Sequence, residues 1–319
     1  MTQKEIAKTL NVSISTVSRA LRSSPLISEE TVQKVKKLAR LAKYRPNQSA
    51  RNLLTGKTYT AGIIFSFDDF FFRDLGHRIS KDLIRHDYMG IFLTCKTEEE
   101  FFDATEKMLA RGVDGIISTT VSAELSLKLK EEGLPVVFYG NETLPFDCVH
   151  VDKYKGGRLS AEYILKCGHK RIGYVGFNAR DEREKAFLDV LHEQYIPLNE
   201  TWIARGNASA RNAAAATAQI LSPPDRPTAL VAHNDIAAIA AINTAAEMGF
   251  RVPADIAVIG FGNIDIAAYA NPSLTTIDQK LDMISEQLVS RLMHRISSRD
   301  EHDFKKVVIE PELIIRRSC

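Results

Sequence analysis

Residues 4–21 read KEIAKTLNVSISTVSRAL. Ile6, Ala7 and Leu10 recur at helical spacing, so residues 4–10 are expected to form a short helix with one apolar stripe. Asn11 follows, and asparagine tolerates the left-handed backbone that a tight interhelical turn requires. Ser13 is placed to cap a second helix, whose buried stripe is Val17, Ala20 and Leu21. Ile14, Ser15, Ser18, Arg19 and Arg22 fall on its other faces. Ser28 caps a third helix running to about Lys43, with Glu29 and Glu30 at its positive end. Val32, Val35, Leu38, Ala39 and Leu41 of that helix are expected to face inward. Three short helices with a tight turn between the first two describe a helix-turn-helix.

Charge points to the same partner as the pattern. Residues 1–57 hold 12 Lys and Arg against 3 Asp and Glu, whereas the rest of the chain holds 30 against 37. A small basic head on a larger acidic body implies a polyanion partner for the head. The second helix of such a motif enters the major groove by its N-terminal end. Ile14 and Ser15 sit there, with Arg19 one turn on. Arginine can grip guanine O6 and N7 with two hydrogen bonds, and Ser13, Thr16 and Ser18 are short hydroxyl donors suited to phosphates.

The chain continues YRPNQSARNLLTG over residues 44–56. Pro46 blocks continuation of the third helix. Asn47 can cap a new helix over 48–54, and Gly56 can end it. A helix that short is marginal alone in water, so it is expected to order only when something packs on it, as DNA and a partner copy would; the alternative is a linker whose Leu53 and Leu54 pack on the body. Leu53 has no core of its own, and a leucine wedge between base steps in the minor groove is one use for it. Ala50 would allow two such helices a close approach.

The full length of 319 residues exceeds one ordinary domain. Apolar residues make up 45% and charged residues 26%, a globular composition with ample core. No apolar run reaches the length of a membrane span, and MTQKEIAKTL has no apolar signal region. A cytoplasmic, nucleoid-associated protein is therefore expected. Cys95, Cys148, Cys167 and Cys319 are scattered without a CxxC, so neither a zinc ribbon nor a redox pair is indicated.

From Tyr59 onward short apolar runs alternate with amphipathic stretches. Strands are expected at 60–66, 90–95, 114–118, 135–139, 171–176, 228–232 and 256–260. Helices are expected between them at about 72–87, 99–111, 122–132, 154–168, 181–194, 209–222 and 234–248. That alternation argues an α/β body with right-handed crossovers and parallel sheets, and the length argues two sheets. There is no GxxxxGK[ST], no strand followed by GxGxxG, no HExxH and no GxSxG. An enzyme has no chemistry to stand on here, and no cofactor or metal is called for.

IAKTLNVSISTVSRAL, SPLISEETVQKV and YRPNQSARNLLTGKT resemble the lactose/galactose repressor (LacI/GalR) family of bacterial transcription regulators. The body carries the resemblance on, through RGVDGIIS, CGHKRIGYVG, RPTALVAHND, VPADIAVIGF and PSLTTID. It covers about residues 2–317. The resemblance implies a helix-turn-helix head over 1–46, a hinge over 47–57 and a periplasmic-binding-protein-like body over 58–319. That body would hold a ligand cleft between two subdomains joined by three crossings. The first subdomain would take about 58–156 plus 280–297, the second about 157–277 plus 306–316. A homodimer on near-palindromic double-stranded DNA is expected, its contact including helix 72–87. Without the leucine-repeat tail that makes tetramers in the family, a dimer rather than a tetramer is expected. DNA contacts would come from Ser13, Ile14, Ser15, Thr16, Ser18, Arg19, Arg22, Ser28, Tyr44, Asn47, Ala50 and Leu53.

The cleft is where the sequence departs from its relatives. Members often carry an aspartate after PVVxx and another in a VIGFDD-like stretch, but Gly140 and Gly262 stand there, followed by Asn141 and Asn263. Ala208 aligns near an aromatic that stacks on sugar in some members. Arg183 and Asn234 match ligand-contacting positions, while Asp235 is read as a cap of the next helix and His233 as structural. Candidate effector contacts are thus Phe67, Asp69, Phe72, Asn141, Arg183, Asn234 and Asn263. Losing two acids while keeping Arg183 suits an anionic effector such as a sugar phosphate or sugar acid. Alternatively Asp68 or Asp69 supplies the acid and the ligand is a neutral sugar or nucleoside. The function expected is a small-molecule-gated repressor of carbohydrate-type genes; the alternative is a solute-binding or chemoreceptor module without DNA function.

Overall fold

A computed structural model describes the chain except for residues 22–23, 45–51, 53–54, 67–68, 120–122, 141–144, 178–180, 207–208 and 299–303. It divides into two units, Met1–Thr58 and Tyr59–Cys319.

In the first unit α1 spans Gln3–Leu10, α2 spans Ile14–Leu21 and α3 spans Glu29–Leu41. Thr2 and Glu5 cap α1 reciprocally: the Glu5 amide donates to Thr2 Oγ1 at 3.3 Å and the Thr2 amide to Glu5 Oε2 at 2.8 Å. Asn11 takes φ 52° and ψ 46° between α1 and α2, the left-handed turn its side chain tolerates. Ser13 Oγ accepts the Thr16 amide at 3.0 Å, and Ser28 Oγ accepts that of Thr31 at 3.4 Å. Ile6, Ala7, Val17, Ala20, Val32, Val35 and Ala39 form the core, with Leu10, Leu21, Leu38 and Tyr44 packed around it. Leu41 is a correction, because it is 75% exposed rather than inward. It follows Ala39 by two positions, about 200° around the helix, and so points away from the stripe that Ala39 closes.

In the second unit, one sheet takes β1 (Thr60–Phe65), β2 (Met89–Thr94), β3 (Gly115–Ser118), β4 (Val136–Tyr139), β5 (Asp147–Val151) and β11 (Lys306–Ile309). Their order is β11-β5-β4-β3-β1-β2, and every pairing is parallel. Helices α4 (Phe70–Arg85), α5 (Glu98–Arg111), α6 (Ala123–Glu131) and α11 (Leu281–Ser297) accompany it. The other sheet takes β6 (Ile172–Gly176), β7 (Ile203–Arg205), β8 (Ala229–Ala232), β9 (Ala257–Gly262), β10 (Thr275–Asp278) and β12 (Glu312–Ile314), in the order β12-β10-β9-β8-β6-β7. Only β12 runs antiparallel to its neighbour. Helices α7 (Lys153–Lys166), α8 (Glu182–Glu193), α9 (Ala210–Leu221) and α10 (Asp235–Glu247) pack on that sheet. Each sheet has an apolar core on both faces, as burial of a parallel sheet requires.

The chain crosses between sheets three times, but two crossings lie elsewhere than expected. Helix α7 contacts α8, β8, β9, β10 and β12 throughout, so the first crossing falls at Asp152 rather than at 156–157. Strand β11 was assigned with 306–316 to the second subdomain. It pairs with β5 instead, and only β12 joins the second sheet. Strand β5, missing from the expected set, opens with Asp147. That carboxylate is fully buried, accepts from Arg295 Nε at 2.6 Å and takes the Lys305 amide at 2.6 Å. A charge inside a strand is tolerated when its partners arrive from distant chain.

Among the described residues no helix is long and apolar enough to cross a membrane.

Candidate ligand cleft and nucleic-acid interface

A cavity of about 390 Å³ opens where strands of both sheets end at their carboxyl sides, the usual place for a ligand in α/β folds. Ser66, Asp69, Phe71, Phe72 and Tyr139 line it from the first sheet and its helices. Lys153, Phe177, Arg183, His233, Asn234, Phe261 and Gly262 line it from the second.

Arg183 is the best-held cation there. Nε donates to Asp181 Oδ1 at 2.8 Å, Nη2 to Asp181 Oδ2 at 2.5 Å and Nη1 to the His233 carbonyl at 2.6 Å. Its guanidinium also lies 5.1 Å from the Phe261 ring centre. Burial opposes ionisation of Asp181, but the hydrogen bonds and charge of Arg183 prevail and hold its carboxyl below the ordinary range. A ligand therefore meets an ion pair rather than a lone arginine.

Lys153 supplies a second cation. Its half-buried ammonium makes no hydrogen bond or ion pair among the described residues. Burial, then the neighbouring charge of Arg183, push its pKa down. Asp69 caps α4 by accepting the Phe71 amide at 2.8 Å, and burial pushes its carboxyl up. Phe71, Phe72 and Tyr139 pack edge to face or tilted, with centroids 5.3 to 6.0 Å apart. They give the first-sheet wall an apolar surface.

Asn234 lines the cavity and is also the cap of α10, accepting the Ala237 amide at 2.8 Å. Capping was expected of Asp235, which instead lies fully buried and ties α10 to the second sheet. It accepts from Thr276 Oγ1 at 2.5 Å and from the Ile264 amide at 2.9 Å. Asn263 is also a correction, since it does not line the cavity. Its Oδ1 accepts from Arg316 Nη2 at 2.7 Å, which turns the side chain toward the segment after β12. Phe67 and Asn141 lie outside the described residues, as do Asp68 and Ala208. Gly140 and Gly262 have φ of +83° and +140°, backbone that side chains rarely adopt. A Cβ at Gly262 would also come within 3.3 Å of Asp235 Oδ2, so an aspartate there would crowd a buried carboxylate.

Sequence reasoning missed Lys153, Phe177, Phe261 and Tyr139, and it read His233 as structural. Lys153 begins the helix after the missed strand β5. Phe177 and His233 directly follow β6 and β8, so the carboxyl-end rule applied to each strand would have found them.

Burial, reinforced by Arg183, pushes the His233 pKa down to about 4, so it is neutral near pH 7. A depressed histidine contributes stability that is lost as pH falls from 6.5 toward 4, because the unfolded chain takes up the proton first. Asp235 opposes this: burial raises it to about 6, so its contribution falls as pH rises from 4 to 6. His233→Gln is expected to remove the first slope and leave the second. Urea melts at pH 7.5 and 4.5 should show the wild type losing about 2 kcal/mol relative to the variant at the lower pH. Parallel pH profiles would contradict the assignment.

In the head, Ser13 Oγ lies 2.7 Å from Ser15 Oγ and 2.8 Å from Thr16 Oγ1, a cluster of hydroxyls at the N-terminus of α2. Ile14 is 48% exposed beside it. Arg19 is exposed one turn on and makes no side-chain hydrogen bond or ion pair among the described residues. Ser18 is half-buried. Ser28 Oγ is engaged in capping α3, and Tyr44 packs against the head core. Arg22, Asn47, Ala50 and Leu53, with most of the expected hinge helix, lie outside the described residues. Asn52 is described, and its carbonyl accepts the Gly56 amide at 2.8 Å, with Gly56 at φ +66°.

Residues 2–47 match the model of the bacterial regulatory proteins of the lacI family, and residues 161–319 match a periplasmic binding protein-like domain. The chain is 31% identical over 330 residues to the HTH-type transcriptional repressor PurR of Photobacterium profundum, covering 99% of this chain and 98% of that one. A lac repressor dimer bound to operator and the anti-inducer ONPF superposes with a TM-score of 0.81 at 22% identity, over 100% and 98% of the two chains. A LacI family transcriptional regulator from Enterococcus faecium with bound ribose gives 0.73 at 26% identity, over 81% and 98%. This chain belongs to the LacI/GalR family of bacterial transcriptional regulators. It is a DNA-binding repressor with a ligand-binding body, and its relatives are regulators rather than enzymes.

Proposed function

We propose that the chain, divided as head 1–46, hinge 47–57 and two-subdomain body 58–319, binds a near-palindromic operator as a homodimer. A small anionic ligand of sugar size, a sugar phosphate or sugar acid, sets its operator affinity and so the expression of carbohydrate-type genes. Lys153 is the observation that carries this reading: a half-buried ammonium with no hydrogen bond or ion pair among the described residues, pushed toward its neutral form by burial and by Arg183 against the attraction of Asp181 and Glu182. An anion seated there would pair the charge and relieve that cost. The aromatic wall of Phe71, Phe72 and Tyr139 would cover the ligand's apolar face.

A ligand touching Asp69 on one side and Arg183 and Asn234 on the other would alter the angle between the subdomains. Coupling to the head through residues 47–57 would then be about 1–3 kcal/mol. A neutral sugar or nucleoside is the second reading, favoured by Asp181, which already neutralises Arg183.

Fluorescence anisotropy on DNA selected from a random pool tests the regulator itself. Affinity should fall steeply with salt as phosphate contacts release counterions, and a solute receptor would not bind. Lys153→Gln should weaken binding of an anionic ligand about tenfold to a hundredfold, as expected for a lost hydrogen bond to a charged group, and leave DNA affinity unchanged. Unaltered ligand affinity in calorimetry would remove Lys153 from the site.

A further inference from the structure

Two of the four cysteines, 152 positions apart in sequence, meet in the fold, with Cys167 Sγ and Cys319 Sγ separated by 3.9 Å. Cys167 caps the C-terminal end of α7 and is exposed, and Cys319 is half-buried against the α7 face of the second sheet. Cys95 and Cys148 are buried elsewhere. We infer that Cys167 and Cys319 form a peroxide-sensitive dithiol that closes to an intramolecular disulfide.

The two thiols have unequal roles. Burial, together with Cys167, pushes the Cys319 thiol up to about 12, so Cys319 stays protonated and shielded. Cys167, open to solvent, is the thiol that meets a hydroperoxide first. Its thiolate attacks one peroxide oxygen and the O–O bond breaks, giving a sulfenic acid and hydroxide. Cys319 sulfur then attacks the Cys167 sulfur: the S–S bond forms and the S–O bond breaks. The Cys319 proton and the hydroxyl leave as water. Each sulfur has lost one electron, and the peroxide has taken both. Closing 3.9 Å to the ~2.05 Å of a disulfide requires turning the thiols toward each other.

The link would join two parts of the cleft's scaffold. Helix α7 begins at Lys153, in the cleft wall. The segment ending in Cys319 clasps the second sheet: Ser318 Oγ accepts the Thr275 amide at 2.8 Å and donates to the Val258 carbonyl at 2.6 Å. Arg316 reaches Asn263 after β9. Oxidation therefore staples this clasp to the helix that carries the cleft lysine.

The test uses the full chain, reduced and then treated with hydrogen peroxide. Thiols counted after denaturation should fall from four to two. The intact mass should drop by two hydrogen atoms, and a non-reducing peptide map should join Cys167 to Cys319. The melting temperature of the oxidised chain should rise and return on reduction. In Cys319→Ser, the sulfenic acid at Cys167 should persist and be trapped by dimedone. Cys167→Ser should show no thiol loss. Retention of four thiols, cross-linking of two chains through Cys167, or oxidation of Cys167 beyond the sulfenic acid with Cys319 left free would each overturn the inference.

Discussion

Replacing Arg19 with alanine should lower affinity for the selected operator ten- to a hundredfold while leaving affinity for unrelated DNA nearly unchanged. Arg19 is exposed on α2, a turn beyond the hydroxyl cluster of Ser13, Ser15 and Thr16. In a helix-turn-helix that position faces the major groove, where a two-bond grip on guanine contributes about 1–3 kcal/mol of discrimination. The hydroxyls and the remaining basic residues of the head would still hold phosphates, so nonspecific binding and most of its salt dependence persist. A gel-shift competition between operator and scrambled DNA measures the ratio. Equal loss on both would make Arg19 a phosphate contact.

Arg183→Ala should have the largest effect on the body, and two consequences can be separated. Asp181 is 7% exposed and Arg183 17%. Removing the arginine strands a buried carboxylate, which typically costs about 3–5 kcal/mol. Adding Asp181→Asn should recover much of that stability, because the unpaired charge disappears with it. The ligand response should stay lost in both variants while DNA binding by the folded dimer remains. Calorimetric unfolding of the two variants, paired with operator titration, checks both halves. A normal ligand response in the double variant would move the ligand away from the Arg183 wall.

How far the fold was legible depended on whether each element carried its own pattern. The head could be read almost entirely, since Ile6, Ala7, Val17, Ala20, Val32, Val35 and Ala39 lie at helical spacing and form the core themselves. The long apolar strands could be read for the same reason. Strand β5 could not, because Asp147 is neutralised by Arg295 and hydrogen-bonded by the Lys305 amide, both more than a hundred residues away. Strand β10, TTID, hid its burial behind threonines that bond Ser318, Arg316 and Asp235.

The site divides along the same line. Arg183, Asn234, Asp69 and Phe72 lie in the cavity wall, each at or just after the start of a helix that the sequence pattern places. Asn263 was misplaced because a positive φ and Arg316 turn it out of the wall. The ion pair that masks Arg183 was missed as well. Asp181 stands two residues before it, a spacing shared with many capping residues that pair with nothing.

The most direct test of an anionic effector is a thermal-shift panel on the full chain. It should set glucose, ribose and adenosine against glucose 6-phosphate, ribose 5-phosphate and gluconate. A ligand specific to the folded state adds about 2.7 kcal/mol at a hundred times its dissociation constant, a shift of several degrees for a body of this size. The account predicts that at least one anionic sugar raises the melting temperature, that its neutral counterpart does not, and that Lys153→Gln cuts the shift at the same ligand concentration to about half or less. A rise with the neutral compounds alone, or an anionic shift of unchanged size in Lys153→Gln, would contradict it.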